Sequence, residues 1–265
     1  MKKITVIGGD KRLISVKKRL ENEGYIVDSL GLYPDDNGDF TTSKFIVLPV
    51  PTTKDSINVF TPLTNKIIPL KQISETVNDQ LILCCNYFFE NKKCVDYGSL
   101  DSYALLNAIP TAEGAIKIAI ENTDYTLWKS KCLVIGYGRV GKVLANRLKA
   151  LGCDVTVTAR KPSDLSLSET LGFSYINTEN LNTAELSFNI IFNTVDVKVI
   201  NDKKIKDLKA DLIIDLSTHG GLDLIKAEEK GIKTIKAAGL PAKVAPKTAA
   251  DILSKTVIQI INSYN

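Results

Sequence analysis

A glycine-rich turn between an apolar strand and an amphipathic helix constrains the fold of this chain more than any other feature. The turn reads Gly136-Tyr-Gly-Arg-Val-Gly141, and the apolar run Cys132 to Ile135 precedes it. In such a turn the first glycine allows a tight bend, the second lets backbone N–H groups approach a pyrophosphate, and the third lets the helix pack closely on the strand. We therefore predict a dinucleotide site rather than a purely structural turn. Its lining residues are predicted to be Gly136, Gly138, Arg139, Val140 and Gly141.

The residues after the next strand indicate which dinucleotide binds. They include Arg160, Lys161 and Ser163, and no carboxylate follows the strand until Asp164. An acidic side chain at this place accepts hydrogen bonds from the adenosine 2′-OH, whereas an arginine accommodates a 2′-phosphate. We therefore predict NADP in preference to NAD. The alternative is that both cations are ordinary solvated side chains at a strand end.

Composition narrows the class of protein. The 265 residues are 44% hydrophobic and 24% charged, as in a globular protein, and carry a net charge of +4 without a basic tail. This charge is too small to argue for nucleic acid. No apolar run reaches the roughly 18 residues of a membrane span, so we expect a cytoplasmic protein with no membrane partner. The five cysteines and one histidine have no metal-ligand spacing, so we predict no metal site and interpret Cys84, Cys132 and Cys153 as buried thiols.

The rest of the chain alternates strand and helix patterns, which indicates parallel sheets. Strands are predicted at 3–8, 25–30, 44–50 and 80–85, and then at 131–136, 153–159, 173–176, 188–194, 211–216 and 232–236. Helices are predicted at 10–22, after the glycine turn, and from Pro246 to about 263. A further helix is predicted to run from Thr111, its N-cap, to about residue 122, with Pro110 just outside it.

The predicted fold class is α/β with two lobes, a flavodoxin-like N-terminal domain plus a Rossmann NAD(P)-binding domain, joined by two crossing helices. Residues 1–124 are assigned to the N-terminal substrate domain with its linker helix, 125–242 to the Rossmann domain, and 243–265 to a C-terminal helix that packs back on the N-terminal domain. Ligands of open α/β sheets bind at the carboxyl ends of the strands. We therefore expect the chemistry in a cleft between the lobes.

Several polar residues follow strands and are candidates for that chemistry. Asn193, Thr194 and Asp215 are predicted to contact the dinucleotide, and His219 follows Asp215 in a glycine-rich loop. His219 is the only imidazole, so it is either a proton acceptor or a structural hydrogen-bonding group. In the first domain Asp10 and Arg12 follow the first strand. Asp10 is either a catalytic carboxylate or the cap of the next helix.

With these residues in place, the chain resembles the family of dipicolinate synthase A subunits from spore-forming bacteria over nearly its full length. The most particular matching segments are Ile109-Pro-Thr-Ala-Glu-Gly114 and Val244-Ala-Pro-Lys-Thr-Ala249. Further matches are Ile7 to Arg12, Ile46 to Val50, Thr123 to Thr126, the glycine turn, Ala159-Arg160, Ala227 to Lys233 and Gly239 to Pro241.

The resemblance implies an NADP-linked oxidoreductase that, with a flavoprotein-like B subunit, converts dihydrodipicolinate to pyridine-2,6-dicarboxylate in the mother cell of a sporulating bacterium. A homo-oligomer is also expected. The dicarboxylate substrate requires cationic or N–H donors, for which Arg12, Lys247 and the backbone near Thr111 are the candidates. The candidates for accepting the ring proton are His219, Asp10 and Glu113.

One loop departs from the family pattern. The family usually has a basic residue and a proline after the fifth strand of the second domain, whereas this chain has the shorter Asp215-Leu-Ser-Thr-His-Gly-Gly-Leu-Asp223. If the basic residue contacts a substrate carboxylate, the substrate here is open to question. Two alternatives therefore stay open. One is a two-lobed dehydrogenase of the 2-hydroxyacid or alanine dehydrogenase type, and the other is a non-catalytic NADP-binding subunit.

Overall fold

A computed structural model describes residues 2–264, which divide into two compact units. Unit 1 comprises the chain up to Asn107 together with the segment from Ala245 onward, and unit 2 is Ala108–Val244. The chain passes between the units twice, once inside a long helix and once just before the last helix. The first boundary predicted above, after residue 124, lies later in the chain than this division.

Unit 1 is built on a parallel sheet. Its elements are β1 (Lys3–Ile7), α1 (Lys11–Asn22), β2 (Ile26–Leu30), β3 (Phe45–Val47), α2 (Leu70–Thr76), β4 (Leu81–Cys84), β5 (Cys94–Asp96), the start of α3 (Asp101–Glu121), and α9 (Pro246–Ser263). The strand order is β2-β1-β3-β4-β5, and every pair is parallel. This is the flavodoxin-like order, so the predicted class of the first domain is confirmed.

The strands of unit 1 are apolar because helices or loops cover both faces of the sheet. On one face α1 and α9 pack over β1 and β3 through apolar residues that recur every three or four positions, among them Leu13, Val16, Leu253 and Val257. Each such side chain contributes about 1.5–3 kcal/mol when fully buried. The C-terminal helix therefore completes the core of the unit that the N-terminal strand begins.

Unit 2 is built on a second parallel sheet. After α3 it contains β6 (Lys131–Ile135), α4 (Arg139–Ala150), β7 (Asp154–Ala159), α5 (Pro162–Thr170), β8 (Ser174–Asn177), β9 (Ile190–Asn193), α6 (Asp202–Asp207), β10 (Leu212–Asp215), α7 (Leu224–Glu229), β11 (Lys233–Lys236) and α8 (Leu240–Val244). The order β11-β10-β9-β6-β7-β8 is that of a Rossmann sheet, with the first strand of the unit at its centre. The Rossmann prediction is therefore confirmed, and the glycine turn joins β6 to α4.

The structure corrects the predicted start of one helix. α3 begins at Asp101 and contains Pro110, so Thr111 lies inside the helix and is not its N-cap. An interior proline removes one backbone hydrogen bond at a cost of about 3 kcal/mol, which is why it indicated a boundary. Beyond it, burial of the alanines at positions 112, 115 and 119 in the core of unit 2 holds the helix together. Among the described helices, none combines the length and apolarity that a membrane span requires.

Candidate functional site

The geometry of the β6–α4 turn requires two of its three glycines and leaves open space at the third. Gly136 has a φ of +95°, and a Cβ there would lie 2.6 Å from Thr194 Oγ1. A Cβ on Gly141 would lie 2.0 Å from the carbonyl oxygen of Gly136, so the helix can approach the turn only without a side chain at this position. A Cβ on Gly138 would meet nothing within 4 Å. The open side of the turn is therefore at Gly138.

The N-terminus of α4 is suited to an anion. Gly138 is its N-cap, and no side chain caps the helix. Neighbouring strands hold the turn in place, because Gly136 N donates to Thr158 Oγ1 at 3.0 Å and Thr194 Oγ1 donates to the carbonyl of Ile135 at 2.9 Å. A helix start with open space above it and the positive end of the dipole behind it fits a pyrophosphate group. The residues present therefore fit a dinucleotide.

The end of β7 carries exposed positive charge. Arg160 and Lys161 are exposed, and Pro162 and Ser163 begin α5. Asp164, the first carboxylate after the strand, has its Oδ1 2.7 Å from Lys142 Nζ on α4. The only acidic side chain in this stretch is thus neutralised by a lysine. The local charge favours a phosphate over a ribose hydroxyl.

The ends of β9, β10 and β11 are joined by a polar network around the buried Asp215 carboxylate. Asn193 Nδ2 donates to Asp215 Oδ1 at 2.8 Å, and Lys236 Nζ donates to Asp215 Oδ2 at 2.7 Å. Burial alone would raise the pKa of Asp215, but hydrogen bonds from Lys236, Ser217 and Asn193 outweigh it and lower the pKa below its usual value. Asn193 and Asp215, both predicted to contact the dinucleotide, thus bond to each other.

Sequence reasoning missed Lys236. The lysine is the last residue of β11 and is paired in register with Asp215, the last residue of β10. Opposite charges directly across neighbouring strands are a recognisable stabilising pair. The pairing of Lys236 with Asp215 could therefore have been predicted from a strand order that places β10 beside β11.

His219 lies in the loop that this network supports. Ser217 Oγ accepts hydrogen bonds from the N–H groups of Gly220 and Gly221, both at 3.1 Å. Asp196 accepts from the backbone N–H of His219 at 3.0 Å, and its Oδ1 lies 3.7 Å from His219 Nδ1. The His219 side chain is 81% exposed. It is therefore accessible to a ligand while its backbone is held.

The Lys236–Asp215 pair gives a pH-dependent prediction. A carboxylate with a lowered folded-state pKa stabilises the fold above its unfolded pKa of about 3.9, and this contribution is lost as the pH falls through the folded value. We expect Lys236→Met to destabilise unit 2 by about 1–3 kcal/mol at pH 7, because it leaves a buried acceptor less satisfied. The difference in stability from the wild type should shrink as the pH falls, because protonation of Asp215 removes the contribution of the pair in the wild type as well.

Thermal unfolding measured between pH 3 and pH 7 tests this expectation. Lys233→Met is the matched control, since Lys233 is an exposed lysine at the other end of the same strand. If the two variants had the same stability as each other at every pH, the Lys236–Asp215 pair would contribute nothing to the fold.

In unit 1 the structure brings Asp10 and Arg12 into direct contact. Asp10 is the N-cap of α1, and its Oδ1 accepts from Arg12 N at 2.9 Å. The same carboxylate accepts from Arg12 Nε at 3.0 Å and from Nη2 at 2.8 Å, and Nη2 also donates to the carbonyl of Val50 at 2.8 Å. Arg12 is only 7% exposed. Asp10 therefore both caps the helix and orients a buried guanidinium.

The place of this pair follows from the sheet order. β1 lies between β2 and β3, so the connections from β1 and from β3 run in opposite directions along the sheet. Arg12 follows β1, and Val50 follows β3. Open α/β sheets bind ligands at the carboxyl ends of strands where the order reverses. Arg12 thus bridges the position in unit 1 where a ligand is expected.

Three other candidates lie on α3 and α9. Glu113 is exposed on α3 within unit 2, with its Oε1 3.3 Å from Arg147 Nη2. Thr111 is half-buried in the same helix, and Lys247 is exposed in the first turn of α9. The structure thus brings Asp10 and Arg12 together among the predicted substrate and catalytic residues.

Comparisons with known proteins agree with this architecture. A family model described as the N-terminal domain of the dipicolinate synthase A subunit matches residues 3–93. A second model, described as D-isomer specific 2-hydroxyacid dehydrogenase, NAD binding domain, matches residues 112–222. The glycine turn and the end of β7 lie within the second match.

Full-length relatives are also found. The dipicolinate synthase A subunit of Bacillus subtilis (strain 168) is 32% identical, and the match covers 98% of this chain and 95% of the relative's length. The crystal structure of the dipicolinate synthase A chain from Bacillus subtilis has a TM-score of 0.89 at 32% identity, covering 99% of this chain and 96% of that chain. The crystal structure of the dipicolinate synthase A subunit from Bacillus halodurans has a TM-score of 0.88 at 29% identity, covering 98% and 97%.

Proposed function

The chain belongs to the family of dipicolinate synthase A subunits, and from that premise we propose that it oxidises dihydrodipicolinate to pyridine-2,6-dicarboxylate with NADP and a B subunit. Its NAD-binding dehydrogenase domain makes it an oxidoreductase of the dehydrogenase type that uses a nicotinamide cofactor. The observation that carries the proposal is that the relationship extends over both units, including the N-terminal unit to which we assign the substrate.

The reaction requires little from the protein beyond positioning and proton removal. Oxidising a dihydropyridine ring removes one hydride and one proton, and the nicotinamide ring, when bound, accepts the hydride. The chain must hold the substrate carboxylates, hold the dinucleotide and accept the proton. The dinucleotide is assigned to the turn at Gly138 and the uncapped start of α4.

The substrate carboxylates are assigned to Arg12. Its guanidinium uses Nε and Nη2 for Asp10 and Val50, and none of the hydrogen bonds within residues 2–264 uses Nη1. An arginine whose other nitrogens are already held loses little conformational freedom when it binds an anion. Nη1 is therefore a preorganised donor at the carboxyl ends of β1 and β3.

For the proton we place His219 first among the three candidates. Both Asp10 oxygens accept hydrogen bonds from Arg12, and Glu113 is paired with Arg147. The His219 side chain is exposed to a ligand, and the Asp196 carboxylate lies 3.7 Å from its Nδ1. The loop that lacks the basic residue usual in the family also has a cation at its base, since Lys236 Nζ donates to Ser217 Oγ at 3.0 Å.

The proposed preference for NADP gives a direct prediction. Arg160→Ala should weaken NADP binding while leaving NAD binding nearly unchanged, because only NADP has the 2′-phosphate. Loss of a charge-assisted hydrogen bond costs about 1.5–3 kcal/mol, which corresponds to a factor on the order of ten or more in affinity. Titrating NADP and NAD against the wild type and against the variant measures the ratio of the two affinities in each protein.

Lys161→Ala is the matched control for Arg160→Ala. Lys161 is the neighbouring exposed cation, and it contributes charge without the planar two-donor geometry of a guanidinium. Lys161→Ala should therefore reduce the preference for NADP over NAD less than Arg160→Ala does. An unchanged ratio of NADP to NAD affinity in Arg160→Ala would show that this residue does not select the dinucleotide.

The function itself is tested by reconstitution. The purified full chain is mixed with NADP, dihydrodipicolinate and a B subunit, and formation of reduced cofactor is followed by absorbance. Turnover that requires all components supports the proposal. Binding of NADP without turnover in the complete mixture would favour a non-catalytic nucleotide-binding subunit. Oxidation of a 2-hydroxyacid in place of dihydrodipicolinate would favour the other dehydrogenase type.

A further inference from the structure

Two tyrosines lie near the Asp10–Arg12 pair in unit 1. Tyr97 follows β5, and Tyr103 is in the first turn of α3. Their rings pack edge to face, with centroids 5.6 Å apart and an angle of 80° between the planes. Both lie within electrostatic range of the Arg12 guanidinium, and Tyr103 is also within range of Asp10. Sequence reasoning singled out neither residue.

The two hydroxyl groups differ in what they bind. The Tyr97 hydroxyl is fully buried and donates to the carbonyl of Leu48 at 2.7 Å, so it holds the segment after β3. The Tyr103 side chain is nearly as well covered, with 4% of its surface exposed, but no hydrogen bond within residues 2–264 involves its hydroxyl. That oxygen is not among the fully enclosed polar atoms that lack a partner, so it keeps access to solvent.

Arg12, like Tyr103, has a hydrogen-bond donor that no described protein group uses. Its Nη1 is the part of the guanidinium that Asp10 and Val50 leave unused. A buried arginine and a buried tyrosine each keep one donor that no described protein group satisfies, and such donors are paired by water or by a ligand. Arg12 lies at the carboxyl ends of the strands where the sheet order reverses, which is where open α/β sheets bind ligands. Tyr103 packs against Tyr97, which bonds to Leu48 two residues before the Val50 carbonyl that Arg12 contacts.

Charge explains why a tyrosine suits this place. Asp10 already neutralises Arg12, so a substrate carboxylate at Nη1 would be the second carboxylate on one guanidinium. A neutral donor beside it satisfies the additional oxygen without requiring another buried charge. Burial raises the pKa of Tyr103, and the phenol therefore stays protonated at neutral pH and can donate.

We propose that Tyr103 is a substrate-binding residue whose hydroxyl, together with Nη1 of Arg12, donates hydrogen bonds to one carboxylate of a planar heterocyclic dicarboxylate. The inference rests on the proposed function and deepens it, because it names the donor pair that recognises the substrate class. Tyr97 serves only to support the pair, through its ring and its bond to Leu48.

The test compares Tyr103→Phe with Tyr97→Phe in the full chain. Each substitution removes one oxygen and keeps the ring packing. Binding of pyridine-2,6-dicarboxylate, with NADP present, is measured by titration calorimetry. Pyridine, which has no carboxylate, serves as the control ligand. Tyr103→Phe should weaken dicarboxylate binding by about tenfold or more, as loss of a hydrogen bond to a charged group does, at an unchanged melting temperature.

Tyr97→Phe should show the opposite pattern, a lower melting temperature with nearly unchanged affinity. In the reconstituted reaction Tyr103→Phe should raise KM for the dicarboxylate substrate without changing KM for NADP. If the wild type binds pyridine-2,6-dicarboxylate and Tyr103→Phe binds it equally well, the inference fails and the proposed function stands. If the wild type binds NADP but neither the dicarboxylate nor the substrate, both the inference and the proposed substrate class fail.

Discussion

Arg12→Ala is expected to abolish dicarboxylate binding and turnover while leaving NADP affinity unchanged. The guanidinium supplies Nη1 to the proposed substrate, and its other donors hold Asp10 and the carbonyl of Val50. The dinucleotide turn belongs to unit 2, whereas Arg12 belongs to unit 1. We expect the apparent KM to rise beyond the measurable range, because a charge-assisted hydrogen bond is among the strongest that a carboxylate makes.

The same substitution should also destabilise unit 1. Removing Arg12 leaves the half-buried Asp10 carboxylate without its cationic partner, at a cost of about 1–3 kcal/mol. The double substitution Asp10→Asn with Arg12→Ala removes that charge and retains an N-cap for α1, so it should regain part of the stability without regaining substrate binding. Denaturant unfolding and ligand titration on both variants separate the two effects. Normal kinetics in a stable Arg12→Ala variant would return Arg12 to a purely structural role.

Two substitutions in the glycine turn are expected to have different effects, one mainly on stability and the other mainly on dinucleotide binding. Gly141→Ala should destabilise unit 2 by about 3 kcal/mol or more, because its Cβ would lie 2.0 Å from the backbone oxygen of Gly136, which cannot move without disrupting the turn. Gly138→Ala should cost less than about 1 kcal/mol, since its Cβ meets no protein atom and alanine is only a slightly poorer N-cap.

Dinucleotide binding by the folded protein should be weakened more by Gly138→Ala than by Gly141→Ala, the reverse of their order in stability. The methyl group of Gly138→Ala would stand on the open side of the turn, where the pyrophosphate approaches the backbone, so NADP affinity should fall by about tenfold or more. Urea unfolding followed by NADP titration measures both properties. A fully stable Gly141→Ala variant, or a Gly138→Ala variant with wild-type affinity, would contradict the assigned roles.

Local physical chemistry determined much of the fold from the sequence. The strands of both sheets were recognisable because each is a short apolar run between turn residues, and a buried parallel strand requires such a run. The glycine turn was recognisable because its three glycines have the spacing of a dinucleotide turn, and the positive φ of Gly136 and the close backbone approach at Gly141 require two of them. α9 was visible from its apolar positions, at the spacing that one buried helix face requires.

Other elements escaped prediction because their stability is not local. α3 continues through Pro110 since burial of its alanines outweighs the lost hydrogen bond, a balance that the helix sequence does not contain. β5 has only three half-buried residues at a sheet edge, so it lacks the apolar run that identifies a strand. In both cases the neighbouring elements supply the deciding free energy.

The candidate site divides in the same way. The residues of the glycine turn and the cations after β7 were predictable, because a contiguous segment brings its own geometry to the dinucleotide. The Lys236–Asp215 pair, the bond from Arg12 to Val50 and the position of Tyr103 beside Arg12 join residues that are distant in sequence. The order of the strands decides which strand ends become neighbours, and only the packed sheets specify that order. The sequence by itself therefore determined the dinucleotide turn, and the tertiary structure alone decided which donors stand together where a substrate would bind.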